Sequence, residues 1–447
     1  MSAAQTGLEI VTAYRRLTAT SAAAFERGCR ALAGGTTGNL RYFSPYPLYF
    51  KEGNGARMTD LDGRSYIDCF LCNGPMLLGH RHPAVMAGIA RHKELGSLLV
   101  NPLLAVEVAE LLQKVIPGAA RVRFLNSGTE AVMSVVRCAR AFTGRSRIIK
   151  FFGHYHGQDD QFLVGLGPTR DTLGRGIPAA ATASSTLVPY GDLPALDSAL
   201  AGGDVAAVIL DPAMHSGGLW GSTPEYLRGV RELVSRQGAL LIFDEVITGF
   251  RVALGGAQSR YGVTADLATF AKALGAGEKL AAVVGTEGVM RCLDPRANDG
   301  TTVFQSGTGN DGTVPLAASL AAVEEYRKLD GNGGYARLDG LGDRFANGLR
   351  AAFASRNVPC HVNQLGPMLQ IFISAEAPGF VSFSSLDTSP LALFYLALIN
   401  EGVLLSLPTS NHIYLSFAHT EADIDEIVVK AGVVLDRYDF GALVTRH

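Results

Sequence analysis

Five short segments of the chain are apolar at nearly every position. They are "RVRFLN" (121–126), "RIIKFF" (147–152), "VAAVIL" (205–210), "ALLIFDEV" (239–246) and "AAVVG" (281–285). Longer segments with helical periodicity lie between them, such as residues 128–144 and 223–238. Strands that are apolar on both faces are typical of a parallel sheet covered by helices on each side. The pattern therefore predicts an α/β fold with a mostly parallel sheet flanked by helices.

The N-terminal part of the chain follows a different pattern. Residues 46–69 contain short strands with polar flanks, and the turn-forming pairs Asn54-Gly55 and Asp62-Gly63 separate them. Such pairs join antiparallel strands, so this stretch predicts a hairpin or a meander.

The C-terminal part, after a long helical segment, has a smaller α+β pattern. It contains two strand patterns, "MLQIFIS" and "HIYLSFA", and it ends in an amphipathic helix that begins at Glu421 and is capped by Thr420. Residues 374–391 are rich in serine and proline, which indicates a mobile loop.

The length of 447 residues is large for a single core, so we expect two or three domains. We predict a large domain over residues 76–325. An N-terminal segment (1–75) and a C-terminal segment (326–447) would together form a smaller α+β domain.

Composition and charge exclude several classes of protein. Hydrophobic residues make up 47% of the chain and charged residues 18%, as expected for a globular protein with a large interior. The formal net charge is −2 and no basic cluster is present, so nucleic acid is not an expected partner. No charge-free apolar run is long enough to cross a membrane, and the N-terminus lacks a signal-peptide pattern. We therefore expect a cytoplasmic protein.

Two of the six cysteines, Cys69 and Cys72, have the CxxC spacing. This spacing occurs in redox sites and in halves of zinc sites. No second close pair completes a zinc site, and the surrounding "YIDCFLC" has the pattern of a strand. We interpret both thiols as small buried groups, and we expect no metal.

One carboxylate and one amine follow neighbouring apolar segments. Asp244 ends "LLIFD", and Lys272 follows "DLATFA". Ligands of an open α/β sheet bind beyond the carboxyl ends of the strands, so both side chains are expected to face one crevice. A lysine amine forms a Schiff base with the aldehyde of pyridoxal phosphate, whose ring nitrogen needs an acidic partner. A buried Asp–Lys salt bridge is the alternative.

Two further segments lie just after predicted strands. In "FLNSGTEAV", Ser127, Gly128 and Thr129 lead from a strand into a helix, where free backbone N–H groups bind phosphate. The same residues also suit an ordinary N-cap. In "FFGHYHGQDD", Tyr155 is the candidate for stacking on a pyridine ring, and a polar loop with an aromatic plug is the alternative.

Together these motifs resemble the class-III aminotransferases, which are fold type I pyridoxal-phosphate enzymes, and within them the glutamate-1-semialdehyde aminomutase branch. The matching segments are "GPMLLGHRHPAV", "NSGTEA", "ARAFTGRSRIIKFFGHYHG", "DEVITGFR", "FAKALGAG", "FQSGTGN" and "LSFAHTEADID". They follow one another in the family's order over most of the chain.

The resemblance implies a role for each cofactor-binding residue. Lys272 would carry the Schiff base and then move the proton, and Asp244 would pair with the pyridinium nitrogen. Val246 would pack on the ring face opposite Tyr155. The phosphate would lie on Ser127, Gly128 and Thr129.

The resemblance also implies a homodimer and a substrate-binding arginine. Thr308 matches a position that contacts the phosphate of the neighbouring subunit. Arg41, in "AGGTTGNLRYF", matches an arginine that binds the substrate carboxylate, a task that suits its two-pronged donors. A surface arginine without such a role is the alternative. Arg251 is a second family position, to which we assign no substrate role.

Several segments near the expected substrate pocket differ from the family pattern. Asp211 stands where the family has a glutamate, and Glu278 and Lys279 place charge in a loop that is usually small and apolar. "TGNDGTVP" replaces the usual "TLSGNP", and the segment "SLPTSNHIYLSFAHT" lacks an acid that is present in the aminomutase branch. These differences leave the cofactor residues intact but make the semialdehyde substrate uncertain.

The predicted activity is transfer of an amino group between a carboxylate-bearing amino acid and a keto acid or aldehyde. An intramolecular 2,1-aminomutase and an amino-acid epimerase are alternatives, because they share the first half of the reaction. A homologue without activity is the alternative of another class, and retention of Lys272 and Asp244 argues against it. A nicotinamide-dependent enzyme is disfavoured, because no GxGxxG follows a strand.

Overall fold

The computed structural model describes residues 3–297, 300–380 and 386–444 of the chain. The chain forms two compact units. We call Met1–His82 with Ala336–His447 the terminal unit, and Pro83–Tyr335 the central unit. The domain boundaries predicted at residues 75 and 325 remain predictions.

Strands and helices are numbered in chain order. The strands are β1 (Phe50–Asn54), β2 (Arg57–Asp60), β3 (Ser65–Asp68), β4 (Arg121–Leu125), β5 (Arg147–Phe151), β6 (Ser185–Val188), β7 (Val205–Leu210), β8 (Leu240–Asp244), β9 (Leu267–Phe270), β10 (Ala281–Gly285), β11 (His361–Leu365), β12 (Met368–Phe372), β13 (Val403–Leu404) and β14 (Ile413–Tyr414). The helices are α1 (Ala3–Leu17), α2 (Ala19–Cys29), α3 (Pro83–His92), α4 (Leu103–Val115), α5 (Gly128–Thr143), α6 (Ala179–Thr182), α7 (Leu193–Leu200), α8 (Pro224–Arg236), α9 (Gly256–Tyr261), α10 (Glu287–Met290), α11 (Thr313–Gly331), α12 (Gly334–Ala354), α13 (Ser389–Asn400) and α14 (Glu421–Arg437).

The central unit is built on a seven-stranded sheet in the order β4-β10-β9-β8-β7-β5-β6. The pairs from β9 to β6 are all parallel, and β10 runs antiparallel to both of its neighbours. Strands β7, β8 and β10 are buried at every position, as their uninterrupted apolar sequences require. This confirms the predicted α/β fold with a mostly parallel sheet. The strand β6 was not predicted, since its sequence "STLV" has only two strongly apolar residues.

Helices cover this sheet through their apolar sides. α5 packs on β7, β9 and β10, and its residues Val132, Val135 and Val136 belong to the main core of the unit. α11 packs on α3 and α4. The burial of these helices keeps water from the backbone of the central strands, so the ends of the strands are held firmly.

The terminal unit contains two small sheets. The first has the order β1-β2-β3-β13, in which the first three strands form the predicted antiparallel meander. The second has the order β11-β12-β14. The predicted cap of the last helix is confirmed: Thr420 and Asp423 form a reciprocal capping box. In the predicted loop 374–391, residues 381–385 lie outside the described residues, and the helix α13 already begins at Ser389 because Pro390 suits the first turn of a helix.

The structure also bears on the membrane and metal predictions. In the described ranges, no helix has the length and hydropathy needed to cross a membrane. The same ranges contain no cluster of three potential metal-binding side chains. Cys69 and Cys72 are thiols without a disulfide, and burial raises the pKa of Cys72 to about 11.

Two glycines of α12 provide a matched test of packing in the terminal unit. A β-carbon at Gly342 would collide with the carbonyl oxygen of Gly366, whereas one at Gly340 would meet no atom. We expect Gly342→Ala to lower the free energy of unfolding by about 2 kcal/mol through overpacking. Gly340→Ala should raise it by about 0.5 to 1 kcal/mol through helix propensity. Urea unfolding of both variants measures the difference, and equal shifts in one direction would contradict the described packing.

Candidate active site

The carboxyl ends of six strands lie at one edge of the central sheet. β5, β6, β7, β8 and β9 are mutually parallel, and β4 runs in the same direction because β10 is antiparallel to both β4 and β9. Ser127, Asp244 and Lys272 lie at or just after three of these ends. The topology therefore brings together residues that are far apart in the sequence, as expected for a ligand site of an open α/β sheet.

Asp244 is held by three hydrogen bonds at the end of β8. Its Oδ2 lies 2.7 Å from Nδ1 of His156, and its Oδ1 accepts hydrogen bonds from the Thr269 hydroxyl at 3.1 Å and from the backbone N–H of Val246 at 3.2 Å. The side chain is only 7% exposed. These contacts fix the plane of the carboxylate. The motif "GHYHG" contains His156, but no pattern in the sequence favours this histidine over His154 as the partner of Asp244.

His156 is neutral near pH 7. Burial lowers the pKa of His156 more than the hydrogen bond to Asp244 raises it, and the charge of Lys150 lowers it further. A neutral imidazole that donates from Nδ1 to Asp244 leaves Nε2 as an acceptor. That buried Nε2 has no hydrogen-bond partner. Asp244 therefore accepts a hydrogen bond from an imidazole whose pKa is lowered by burial.

Lys272 follows β9 and begins a short 3₁₀ turn that ends at Gly275. Its φ of 45° lies in the left-handed region, which costs a residue with a side chain about 1 to 2 kcal/mol. Removal from water lowers the pKa of Lys272 to about 8, and the positive charge of Arg251 acts in the same direction. The carboxylates of Asp244 and Asp211 act in the opposite direction.

The salt-bridge alternative is not what the structure contains. In the described part of the chain, no ion pair joins Asp244 to Lys272, since Asp244 is paired with His156. The two charges nevertheless interact, because Asp244 raises the pKa of Lys272. The amine of Lys272 and the carboxylate of Asp244 are thus near each other without forming an ion pair. A ligand that binds both groups at different atoms requires this arrangement.

Asp211 has a structural task beside this site. Its carboxylate accepts hydrogen bonds from the backbone N–H groups of Ala213 at 2.9 Å and His215 at 2.8 Å. Burial nevertheless raises the pKa of Asp211 to about 6, and the charge of Asp244 adds to this effect. The shorter acid that replaces the family's glutamate therefore shapes the turn after β7.

The start of α5 has the geometry of an anion site. Ser127 is the N-cap, and its Oγ accepts a hydrogen bond from the N–H of Glu130 at 3.2 Å. A β-carbon at Gly128 would lie 3.0 Å from Cγ2 of Val246, so only glycine fits beside that side chain. The helix dipole and the free N–H groups favour a negative group here. The structure thus brings Gly128 and Val246 into contact.

The loop after β5 reaches the same place. Thr129 accepts a hydrogen bond at its Oγ1 from the N–H of Gln158 at 3.2 Å. A β-carbon at Gly157 would lie 2.6 Å from that oxygen, so the close approach requires glycine. Tyr155 precedes His156 in this loop and is 39% exposed, and its pKa is raised by burial.

The loop that carries Thr308 is tied to the start of α5. The amide of Asn126 donates to the side-chain oxygen of Asn310 at 2.9 Å, and Gly309 packs on Asn126. Thr308 itself is exposed.

The remaining predicted residues differ in their exposure. Arg41 is exposed in the terminal unit, where it ends a 3₁₀ turn, and its charge acts on the thiol of Cys72. Arg251 is almost fully buried in the central unit. The charged residues Glu278 and Lys279 are exposed, so they do not place charge in the protein interior.

These residues fit a ligand with three distinct groups. The start of α5 suits an anionic end, Asp244 suits a protonated ring nitrogen, and the amine of Lys272 suits an aldehyde. The close approach of Gly128 to Val246 and the unpartnered Nε2 of His156 support a polar ligand at this edge.

Known proteins share this chain's sequence and fold. The class-III aminotransferase family matches residues 41–430. Glutamate-1-semialdehyde 2,1-aminomutase 2 from Brevibacillus brevis is 37% identical over 410 residues, which cover 89% of this chain and 94% of that protein. An omega-transaminase structure from Sphaerobacter thermophilus is 31% identical with a TM-score of 0.86, covering 93% of this chain and 97% of that one. A β-phenylalanine aminotransferase structure from Variovorax paradoxus is 27% identical with a TM-score of 0.87, covering 99% of both chains.

The lowered pKa of Lys272 can be measured directly. Because only the neutral amine reacts, we expect labelling of Lys272 by acetic anhydride to rise with a midpoint at about pH 8. Asp244→Asn should move this midpoint lower, since the carboxylate raises the pKa of Lys272. Peptide mapping after labelling at a series of pH values gives the midpoint, with the exposed Lys279 as internal reference. A midpoint near the ordinary value of 10.5 would contradict the described environment.

Proposed function

The chain belongs to the class-III aminotransferase family, and we propose that it transfers an amino group from a carboxylate-bearing amino acid to a keto acid or aldehyde. Pyridoxal 5′-phosphate is the cofactor. The observation that carries this proposal is the meeting of an oriented carboxylate, an amine of lowered pKa and a helix start at one sheet edge. No other part of the central unit offers this combination among the described residues.

Five residues would hold the cofactor at the sheet edge. Ser127, Gly128 and Thr129 would bind its phosphate through the start of α5. Tyr155 and Val246 would lie against the two faces of its ring. The close approach of Gly128 to Val246 supports this arrangement, because the residues proposed for the phosphate and for the ring are neighbours.

Asp244 and Lys272 carry the chemistry. When bound, the cofactor acts as an electron sink for negative charge on the α-carbon of the substrate. Asp244 would hold a proton on the ring nitrogen of the cofactor, and His156 orients the Asp244 carboxylate. Lys272 would accept and release the proton of the substrate's α-carbon, because a pKa of about 8 suits both directions near neutral pH.

Arg41 would bind the substrate carboxylate. Its guanidinium is exposed, and the pKa effect on Cys72 indicates that its charge lies close to that thiol. A planar, two-pronged donor matches a carboxylate better than a lysine does. The substrate is therefore an amino acid rather than a simple amine.

An intramolecular 2,1-aminomutase is the second candidate. It is favoured by the 37% identity to a glutamate-1-semialdehyde 2,1-aminomutase from Brevibacillus brevis. The differences from the aminomutase pattern near the substrate pocket favour intermolecular transfer. In this chain Asn411, which lies in the segment that differs, accepts a hydrogen bond from Tyr395 at 2.6 Å and donates one to the carbonyl of Ile371 at 2.8 Å.

A homodimer would complete the site. The position of Thr308 matches one that contacts the phosphate of the neighbouring subunit in the family, and the exposure of Thr308 supports the same contact here. An exposed apolar segment of the central unit supports the dimer, since such surfaces mark interfaces. Its exposed residues are Leu95, Leu98, Leu99, Val100, Leu103 and Val106.

Covalent capture of the cofactor tests the proposed enzyme. We expect borohydride to fix a pyridoxyl group on Lys272, and Lys272→Ala should carry no label and lose activity by at least about a thousandfold. Lys279→Ala, at an exposed lysine shortly after this turn, is the control and should keep both. An amino-acid panel should yield keto product, with turnover only when an acceptor is added. Label elsewhere, or isomerised product alone, would contradict the transaminase.

The dimer can be tested with charge on the apolar segment. Val100 is 90% exposed, and Val100→Glu should shift the protein to monomers in light scattering, because a buried charge opposes association. Val429→Glu, at a 65% exposed valine of the terminal unit, is the control and should leave the dimer intact. Thr308→Ala should keep the dimer but raise the cofactor dissociation constant about tenfold, the effect of one hydrogen bond. A monomeric wild type would contradict the proposed dimer.

A further inference from the structure

Lys150 is a buried lysine that the proposed chemistry does not use. It is the last but one residue of β5 and is 0% exposed. Its amine donates hydrogen bonds to the backbone carbonyls of Phe162 at 3.0 Å and Val164 at 2.8 Å. No acidic side chain within the described ranges forms an ion pair with it. An amine buried without an acid is costly, so it calls for a specific task.

The two acceptors lie at the end of the loop that forms part of the candidate site. This loop, residues 152–164, leaves β5 after Phe151 and carries Tyr155 and His156. Its neck is closed by a hydrogen bond from the N–H of Gly153 to the carbonyl of Gly165 at 2.8 Å. Lys150 therefore ties the returning end of the loop to the strand from which the loop departs.

The tether continues through side chains to Asp244. The ring of Phe162 packs edge-on against the ring of His156, with 5.8 Å between centroids and an interplanar angle of 76°. His156 in turn lies 2.7 Å from Asp244. The position of Phe162 thus limits where the imidazole can lie, and the imidazole orients the carboxylate.

We propose that Lys150 is a positioning residue that holds His156 against Asp244 by fixing the loop 152–164 through Phe162. The proposal rests on the proposed function for the meaning of Asp244, but the tether itself does not. Lys150 touches no reacting atom.

The tether does not depend on the charge of the amine. Burial lowers the pKa of Lys150 to about 7. A neutral amine still has two hydrogens, which are enough for two carbonyls, so the loop stays fixed on both sides of this pKa. Burial lowers the pKa values of His154 and His156, and the charged form of Lys150 lowers them further.

Hydrogen exchange of the full chain without cofactor tests the tether. Lys150→Met keeps the length of the side chain but leaves both carbonyls without donors. We expect amides of residues 152–164 to exchange at least tenfold faster, while peptides of β7 keep their rates. Ile149→Ala is the matched control, since Ile149 is equally buried on the same strand but faces the opposite side. Unchanged exchange in the loop, or equal loosening by both variants, would overturn the proposal.

Equilibrium dialysis of pyridoxal phosphate tests the connection to Asp244. We expect Lys150→Met to raise the dissociation constant at least tenfold, and Ile149→Ala to leave it within twofold of the wild type. Phe162→Leu retains the carbonyl but removes the ring, so it should weaken cofactor binding without faster exchange at the loop neck. This second variant decides the matter if Lys150→Met does not fold, because unchanged cofactor affinity in Phe162→Leu overturns the connection.

The two measurements separate this inference from the proposed function. A wild-type chain that does not bind pyridoxal phosphate would refute the proposed function, while the exchange experiment would still decide whether the tether exists. A wild type that binds the cofactor, with Lys150→Met equal to it in both measurements, would refute only the role of Lys150.

Discussion

The removal of ionisable groups from water at one sheet edge is the constraint on which the candidate site depends. Asp244 is buried at the end of β8, and its carboxylate accepts hydrogen bonds from His156, Thr269 and the backbone N–H of Val246. The same loss of water lowers the pKa of Lys272 to about 8. Burial therefore requires hydrogen-bond partners for the acid and makes the amine available as a base.

The topology of the central sheet determines which residues meet. Because β10 is antiparallel to both neighbours, β4 ends at the same edge as the parallel strands, and the start of α5 joins the site. The contact between Gly128 and Val246 then joins the helix start to the segment after β8. The loop after β5 also borders the site, and hydrogen bonds from Lys150 hold the end of this loop on β5. The positions of the backbone segments, rather than any single side chain, therefore determine which residues meet at the site.

Much of this could be predicted from sequence because it needed only local patterns. Uninterrupted apolar runs indicated the buried strands, and the rule that ligands bind at strand ends selected Asp244 and Lys272. The hydrogen bond between His156 and Asp244 could not be found in that way. β5 and β8 are separated by β7 in the sheet, and no local pattern gives the strand order. Lys150 looked like an ordinary polar residue of a strand, since its partners are backbone carbonyls that leave no signal in a sequence. The roles of Arg41 and Thr308 rest on the family resemblance and remain proposals.

The strand order has a mechanical consequence. β8 is the fourth of seven strands, so three strands shield it on either side, whereas β4 is an outermost strand with one free border. Fraying of the sheet begins at its borders, and β4 leads directly into Ser127. A molecule bound to both Ser127 and Asp244 would bridge the four strands from border to middle. A bound ligand would then stabilise the outer strand β4 by linking it to the central strand β8, and loss of the ligand would allow β4 to fray first.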